Sequence, residues 1–219
     1  MRFKLALLAS LLVYEGGAAG SPIISVSGPQ EDSFVWTLGG NRAVGFSLAS
    51  TYRDLSITTT LLAFSPGGTW NLTAYLTDQI GPGATAANVI TSFSGTITLA
   101  GTDPVIPFVL NVQPIFANLD LGPGTYYLIL SGSPGTTDAY WLASQVGVVT
   151  TFDGASLTAG FLTAGSPDPF LPASAFSAGS QEFWFEVSGV AVPEPGSGLL
   201  IVAGSLTIVA LGRKARALL

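Results

Sequence analysis

Carboxylates are the residues in this 219-residue chain best suited to chemistry, because it contains no histidine and no cysteine. The missing histidine removes Ser-His-Asp and Cys-His nucleophile activation, together with the commonest general base and metal ligand. The missing cysteine removes disulfides and thiolate metal sites. Two carboxylate pairs are close enough in sequence for acid and base work on a glycosidic bond: Glu31-Asp32, and Glu182 with Glu186. Glu31 and Asp32 precede the first expected strand, where a solvated terminus explains them. Glu182 and Glu186, four residues apart, share one strand face, opposite Phe183, Phe185 and Val187. A solvated outer face explains that pair equally well, so no catalytic residue is assigned and the chain is not expected to be an enzyme.

Oxygen-rich turns could hold calcium, and Asp153-Gly154 and Asn118-Leu119-Asp120 are the candidates. Neither carries the alternating carboxylate spacing of a calcium loop, and Asp and Asn favour turns without any metal. No metal ligand and no cofactor is assigned. Sugar binding makes different demands, namely exposed aromatic faces beside polar groups. Trp184 has the strand parity of Glu182 and Glu186 and is expected to point outward with them. Tyr75 shares parity with Asn71, Thr73 and Thr77, while Tyr140 and Trp141 adjoin Asp138. These four aromatics form the candidate sugar platform. The alternative is that a covering loop turns Trp184 into core, since tryptophan is highly buried on average.

The elements that must position these residues are short and β-like. Val44, Phe46 and Leu48 alternate with small residues. Leu55, Ile57, Thr59 and Leu61 alternate with Ser56, Thr58 and Thr60, and Trp70, Leu72, Ala74 and Leu76 with Asn71, Thr73, Tyr75 and Thr77. Similar runs lie at 92–99, 105–112, 126–130, 138–142, 146–152 and 181–190. Period-two alternation describes strands with one buried and one wet face. Ser65-Pro66-Gly67-Gly68, Gly81-Pro82-Gly83, Gly122-Pro123-Gly124 and Ser133-Pro134-Gly135 supply turns between them. From Phe34 onward this predicts an all-β, antiparallel sandwich, jelly-roll-like, of roughly ten strands. Residues 154–179 are poorer in strand signal and are expected to form a long loop before the last strand. The phrase Leu121-Gly122-Pro123-Gly124-Thr125-Tyr126-Tyr127-Leu128-Ile129-Leu130 resembles one found in extracellular bacterial β-sandwiches, including pre-peptidase C-terminal-type domains, and supports the sandwich alone.

The two ends differ from the middle. Arg2 and Lys4 precede an apolar run from Leu5 to Val13, and Gly17-Ala18-Ala19-Gly20-Ser21 follows with small residues. That order predicts a secretory signal peptide over 1–20, cleaved after Ala19 or Gly20. Nine apolar residues are too few to span a bilayer, which weighs against an N-terminal anchor. The β-domain then occupies 21–190. It holds eleven of the thirteen carboxylates but only Arg42 and Arg53 of the seven cations. So acidic a surface repels phosphates and cannot build the basic footprint of a nucleic-acid binder.

Residues 191–219 read as a tail. Val192-Pro193-Glu194-Pro195 is followed by a run from Leu199 to Leu211 broken only by Ser205 and Thr207 among apolar and small residues, and then by Arg213, Lys214 and Arg216. With its flanking small residues the run is long enough for one short transmembrane helix, and the basic cluster is expected to stay cytoplasmic. The order of tripeptide, apolar helix and basic end resembles the PEP-CTERM sorting signal, a family of exopolysaccharide-producing bacteria of the Gram-negative type. The resemblance covers Val192 to Arg216, and Ala217-Leu218-Leu219 extends beyond where many such tails stop. It implies export by the secretion machinery and signal peptidase, a transient inner-membrane anchor, and processing near the tripeptide by exosortase. It further implies a structural or adhesive role at the cell surface or in the exopolysaccharide matrix. A plain C-terminal anchor behind a proline-rich linker is the competing reading of the tail. A carbohydrate-binding module is the competing reading of the domain, with a glycoside hydrolase behind it.

Overall fold

The computed structural model describes residues 20–29, 33–38, 40–64, 66–102, 109–132, 139–164, 170 and 176–193. These form fourteen strands and a single 3-10 turn at Ala86–Asn88. The strands are β1 (Ser21–Ser27), β2 (Ser33–Thr37), β3 (Asn41–Leu48), β4 (Tyr52–Phe64), β5 (Gly67–Thr77), β6 (Val89–Thr102) and β7 (Asn111–Leu121). They continue with β8 (Gly124–Gly132), β9 (Ala139–Ser144), β10 (Val148–Thr151), β11 (Ser156–Ala164), β12 (Ser177–Ala178), β13 (Glu182–Phe183) and β14 (Phe185–Ala191).

One continuous path runs β10-β1-β14-β4-β6-β5-β8-β3-β11-β12, with β7, β2, β9 and β13 attached beside it. The sheet curls over on itself, so that its two halves face each other across one core. Strand β6 makes the bend: up to Ala100 it pairs antiparallel with β5, and Gly101 and Thr102 pair parallel with β4. That short parallel contact is the exception in an otherwise antiparallel all-β fold, as alternation and turn chemistry predict.

The expected inward residues are the core. Val44, Phe46 and Leu48 from β3, Leu55, Ile57 and Leu61 from β4, and Leu72, Ala74 and Leu76 from β5 are buried in one cluster with Leu128, Leu130 and Val187. Trp141, Phe183 and Phe161 stack through its middle, with ring centroids 4.4 Å and 4.6 Å apart. Stacked aromatics contribute both large buried area and favourable quadrupole geometry. A smaller cluster of Ala43, Ile129 and Leu162 lies on the other face of that half-sheet, packed with Tyr75, Tyr127 and Phe176.

Four expectations change. Residues 154–179 are not one long loop, because nine of them form β11, which pairs with β3 through two register shifts. Those shifts blur the alternation along Ser156–Ala164. Of the strand expected over 105–112, residues 105–108 lie outside the described residues, Val109 and Leu110 are in no strand, and β7 runs from Asn111 on to Leu121, through Pro114. Proline is tolerated there because β7 is an edge strand, paired with β4 alone among the described residues. Ser21–Ser27, where no strand was expected, forms β1 and seats Ile23, Ile24 and Val26 in the core. Finally, the expected single strand over 181–190 is broken at Trp184 into β13 and β14. The expected transmembrane helix at 199–211 lies outside the described residues, and among those described no helix is long and apolar enough to cross a membrane.

Candidate functional site

The break at Trp184 decides the fate of the C-terminal carboxylates and the aromatic platform together. Strand β13 pairs with β9, whereas β14 pairs with β1 and β4. The chain therefore changes ladders at Trp184, whose N–H donates to Leu142 O at 2.9 Å and whose carbonyl accepts from Thr60 N at 3.2 Å. Parity counted along an unbroken strand fails across such a step, and Phe183, Trp184 and Phe185 are buried in succession. Trp184 is only 5% exposed and its Nε1 donates to Ser144 Oγ at 2.9 Å. Trp141 is fully buried, with its Nε1 donating to Trp184 O at 2.9 Å. Both indoles thus have their polar handle satisfied inside the fold, and neither presents a face to a sugar.

The two candidate tyrosines are half-buried rather than free. Tyr75 meets Phe170 edge-on at 5.4 Å, and Tyr140 meets Phe64 edge-on at 5.1 Å. The four platform residues are not brought together on one exposed surface.

Glu182 and Glu186 sit in different surroundings. Glu186 Oε1 accepts a 2.6 Å hydrogen bond from Ser188 Oγ. Glu182 is folded against β11 and the turn before β10: its Oε2 lies where a side chain at Gly147 would begin, and its Cγ is 2.6 Å from the position a Cβ at Gly160 would take. That oxygen is buried with no hydrogen-bond partner. Burial pushes the Glu182 carboxyl above its ordinary value, because the charged form loses water without gaining a donor. Glu182 is therefore not on a solvated outer face. Glu31 and Asp32 lie outside the described residues.

The turn carboxylates serve the backbone. Asp153 and Gly154 both take positive φ, 52° and 74°, in the turn from β10 to β11, and the Asp153 carbonyl accepts from Tyr52 Oη at 3.4 Å. Burial, and then the Asp153 charge, raise the Tyr52 phenol. Asn118 and Asp54 occupy positive φ at the irregular β4–β7 pairing, where Asp120 Oδ1 accepts from Asp54 N at 3.3 Å. Among the described residues no three carboxylates come together to hold a metal ion. Of the domain's two cations, Arg42 is half-buried, with Nη1 donating to Asn41 O at 3.0 Å, and Arg53 is exposed.

At the ends of the chain, Val192 N donates to Thr51 O at 2.8 Å and Pro193 is exposed. Gly20 packs on the backbone of Gly189, and Ser21 pairs with Gly189 in the β1–β14 ladder. The two ends of the domain leave it side by side. Ala19, Glu194, Pro195, Arg213, Lys214 and Arg216 lie outside the described residues.

One polar cleft went unread in the sequence. It has a volume of ≈ 670 Å³ and is lined by Asp78, Gln79, Asn88, Ile90, Thr125 and Tyr126, among others. Asn88 organises it: its Nδ2 donates to Asp78 Oδ1 at 2.9 Å and to Gln79 Oε1 at 3.3 Å, and its Oδ1 accepts from Thr85 N at 2.9 Å. Tyr126 Oη donates to Gly122 O at 2.8 Å, and burial, helped by the Asp78 charge, raises that phenol. The Thr85-Ala86-Ala87-Asn88 spacing of a capping box is the signal that could have located it.

The fold and surface define an acidic, all-β domain whose two ends emerge together. No family model matches the chain, and no curated protein does. Among solved structures, a chain of the T13 IBDV viral particle, an icosahedral virus, aligns at 12% identity with a TM-score of 0.31. That alignment covers 89% of this chain and 45% of the viral one, so this chain spans about half the length of its match.

Proposed function

We propose that the protein is an exported structural or adhesive component of the cell surface or exopolysaccharide matrix, sorted through its C-terminal tail by exosortase. The observation that carries this reading is the uninterrupted order of Val192-Pro193-Glu194-Pro195, the apolar run to Leu211, and Arg213, Lys214 and Arg216, directly after the last strand. The geometry is compatible with it: β14 ends at Ala191, so processing near the tripeptide removes nothing from the sheet. In this reading the domain is a jelly-roll-like sandwich, the signal peptide is removed at Ala19 or Gly20, and the tail holds the chain briefly in the inner membrane. The test is intact-mass analysis of fractionated cells with and without exosortase. A species lacking both ends, outside the cell and only when exosortase is present, is the expected result. A full tail retained in the membrane in both strains overturns it.

The polar cleft favours a second reading, a carbohydrate-binding module. Its volume falls in the range of small-ligand sites, and a fixed carboxylate–amide pair beside Thr125 suits sugar hydroxyls. Titration of the host polysaccharide against wild type and Asp78→Ala separates the two, since binding that survives the substitution does not use this cleft.

A further inference from the structure

Strand β10 carries an interface. All four of its residues are exposed, and with its flanks it holds Val146, Val148, Val149 and Phe152 at 66%, 57%, 38% and 51% exposure. Scattered single apolar residues on a surface are ordinary, but four within seven consecutive positions are not. Residues 146–152 contain no charge.

The strand is also an open edge. Among the described residues it pairs only with β1, in an unbroken register from Ile24↔Thr151 to Ser27↔Val148. Phe152 N donates to Ile23 O, so backbone groups of alternate residues turn toward β1 and those of Val149 and Thr151 turn away from it. The other edges are blunted in the usual ways. Strand β7 carries Pro114, Asp120 and three register shifts against β4. Strands β12 and β13 have two residues each, and β2 follows directly on Glu31-Asp32. Strand β10 has no proline, no charge and no bulge.

We propose that β10 pairs antiparallel with β10 of a second copy of this chain, about a two-fold axis through Val149. Unpaired N–H and C=O groups call for an extended backbone, which a lipid surface cannot offer. Both copies carry net negative charge, so a stretch that meets its own image with no like charges opposed has to be uncharged, as this one is. The strand is complementary to itself in this register. Val149 lies opposite Val149 and Val148 opposite Thr150, with no charged residue in either paired strand. So short a pairing buries less than the ~800 Å² per partner of a standard interface. It is therefore weak for a dilute chain and grows where copies are concentrated on one surface. This inference stands on the edge geometry and does not depend on the tail.

The chain has no cysteine, which makes the test direct. Residues directly opposite in an antiparallel pair have Cα atoms ~4.5–5.5 Å apart, within disulfide reach. Full-length Val149→Cys is expressed in the producing host, intact cells are oxidised, and the protein is run on a non-reducing gel. Ile90→Cys, on β6, and Val112→Cys, on the β7 edge, serve as controls more exposed than Val149, at 43% and 61% against 38%; none of the three positions is core, so folding is retained. The expected result is a band at twice the chain mass for Val149→Cys alone, lost on reduction. Absence of that band, equal bands at all three positions, or an adduct to a protein of different mass overturns the pairing.

Discussion

Buried polar atoms at Trp184 and Glu182 set the local energetics on opposite sides of one strand break. The Trp184 indole donates to Ser144 Oγ, and Ser144 is itself fully buried. Replacing Ser144 by alanine strands a buried N–H, which costs ~1–3 kcal/mol. Urea denaturation of Ser144→Ala is expected to show that loss with an unchanged slope. Glu182 acts in the other sense. Its folded-state proton affinity is raised by burial, so the folded protein binds more protons than the unfolded chain between the ordinary carboxylate value of 4.5 and the raised one. Stability then falls as pH rises through that window and stays lower above it. Glu182→Gln is expected to be more stable than wild type at neutral pH, with the difference vanishing below pH 4.5, as read by thermal melts across pH. A difference that persists in acid assigns the effect to packing against Gly147 and Gly160 instead. The average burial of tryptophan pointed to Trp184 as core, which it is, while nothing in the sequence marked Glu182 as buried. Parity placed Trp184 and Glu182 on one outward face, and only the change of ladder from β9 to β4 explains why both turn in.

Strands were legible wherever one face is buried and the ladder is regular. Strands β3, β4 and β5 follow their alternation closely, since their inward residues meet a single core. Strands β1, β7 and β11 were missed or misplaced for a shared reason: each pairs through register shifts or carries a proline, and each shift reverses the face on which the next apolar residue falls. Strand β14 shows how closely these elements approach one another. A Cβ on Gly189 would lie 2.6 Å from Leu55 Cδ2, and Leu55 is fully buried. Gly189→Ala is therefore an overpacking change, expected to cost ~1–3 kcal/mol. Leu55→Val relieves part of the clash, so the double variant is expected to be less destabilised than the two single changes added together. Strict additivity in denaturant melts would mean that the backbone of β14 moves aside, with Leu55 staying in place.

For the whole molecule, the arrangement of the ends matters more than any single site. Both ends of the domain emerge from adjacent antiparallel strands, Gly20 packing on Gly189 and Val192 bonded to Thr51. The residues that lead to the two segments with the clearest functional signal in the sequence therefore sit on neighbouring strands, β1 and β14. The order of those segments in the sequence carried that signal, while the polar cleft around Asn88 did not show there, because its residues come from turns distant in the chain. A chain ending at Ala191 loses one backbone hydrogen bond, Val192 N to Thr51 O, from the described fold. A hydrogen bond contributes a net ~0.5–1.5 kcal/mol, so that truncation is expected to lower stability by no more than this amount. A chain ending at Trp184 lacks β14, which pairs with both β1 and β4 and supplies buried Phe185 and Val187, and is expected not to fold. Circular dichroism melts of the two truncations check the contrast directly. A large loss on removing only the tail would mean that residues 192–219 pack on the domain, and that the tail is part of the fold and not an appendage to be cut away.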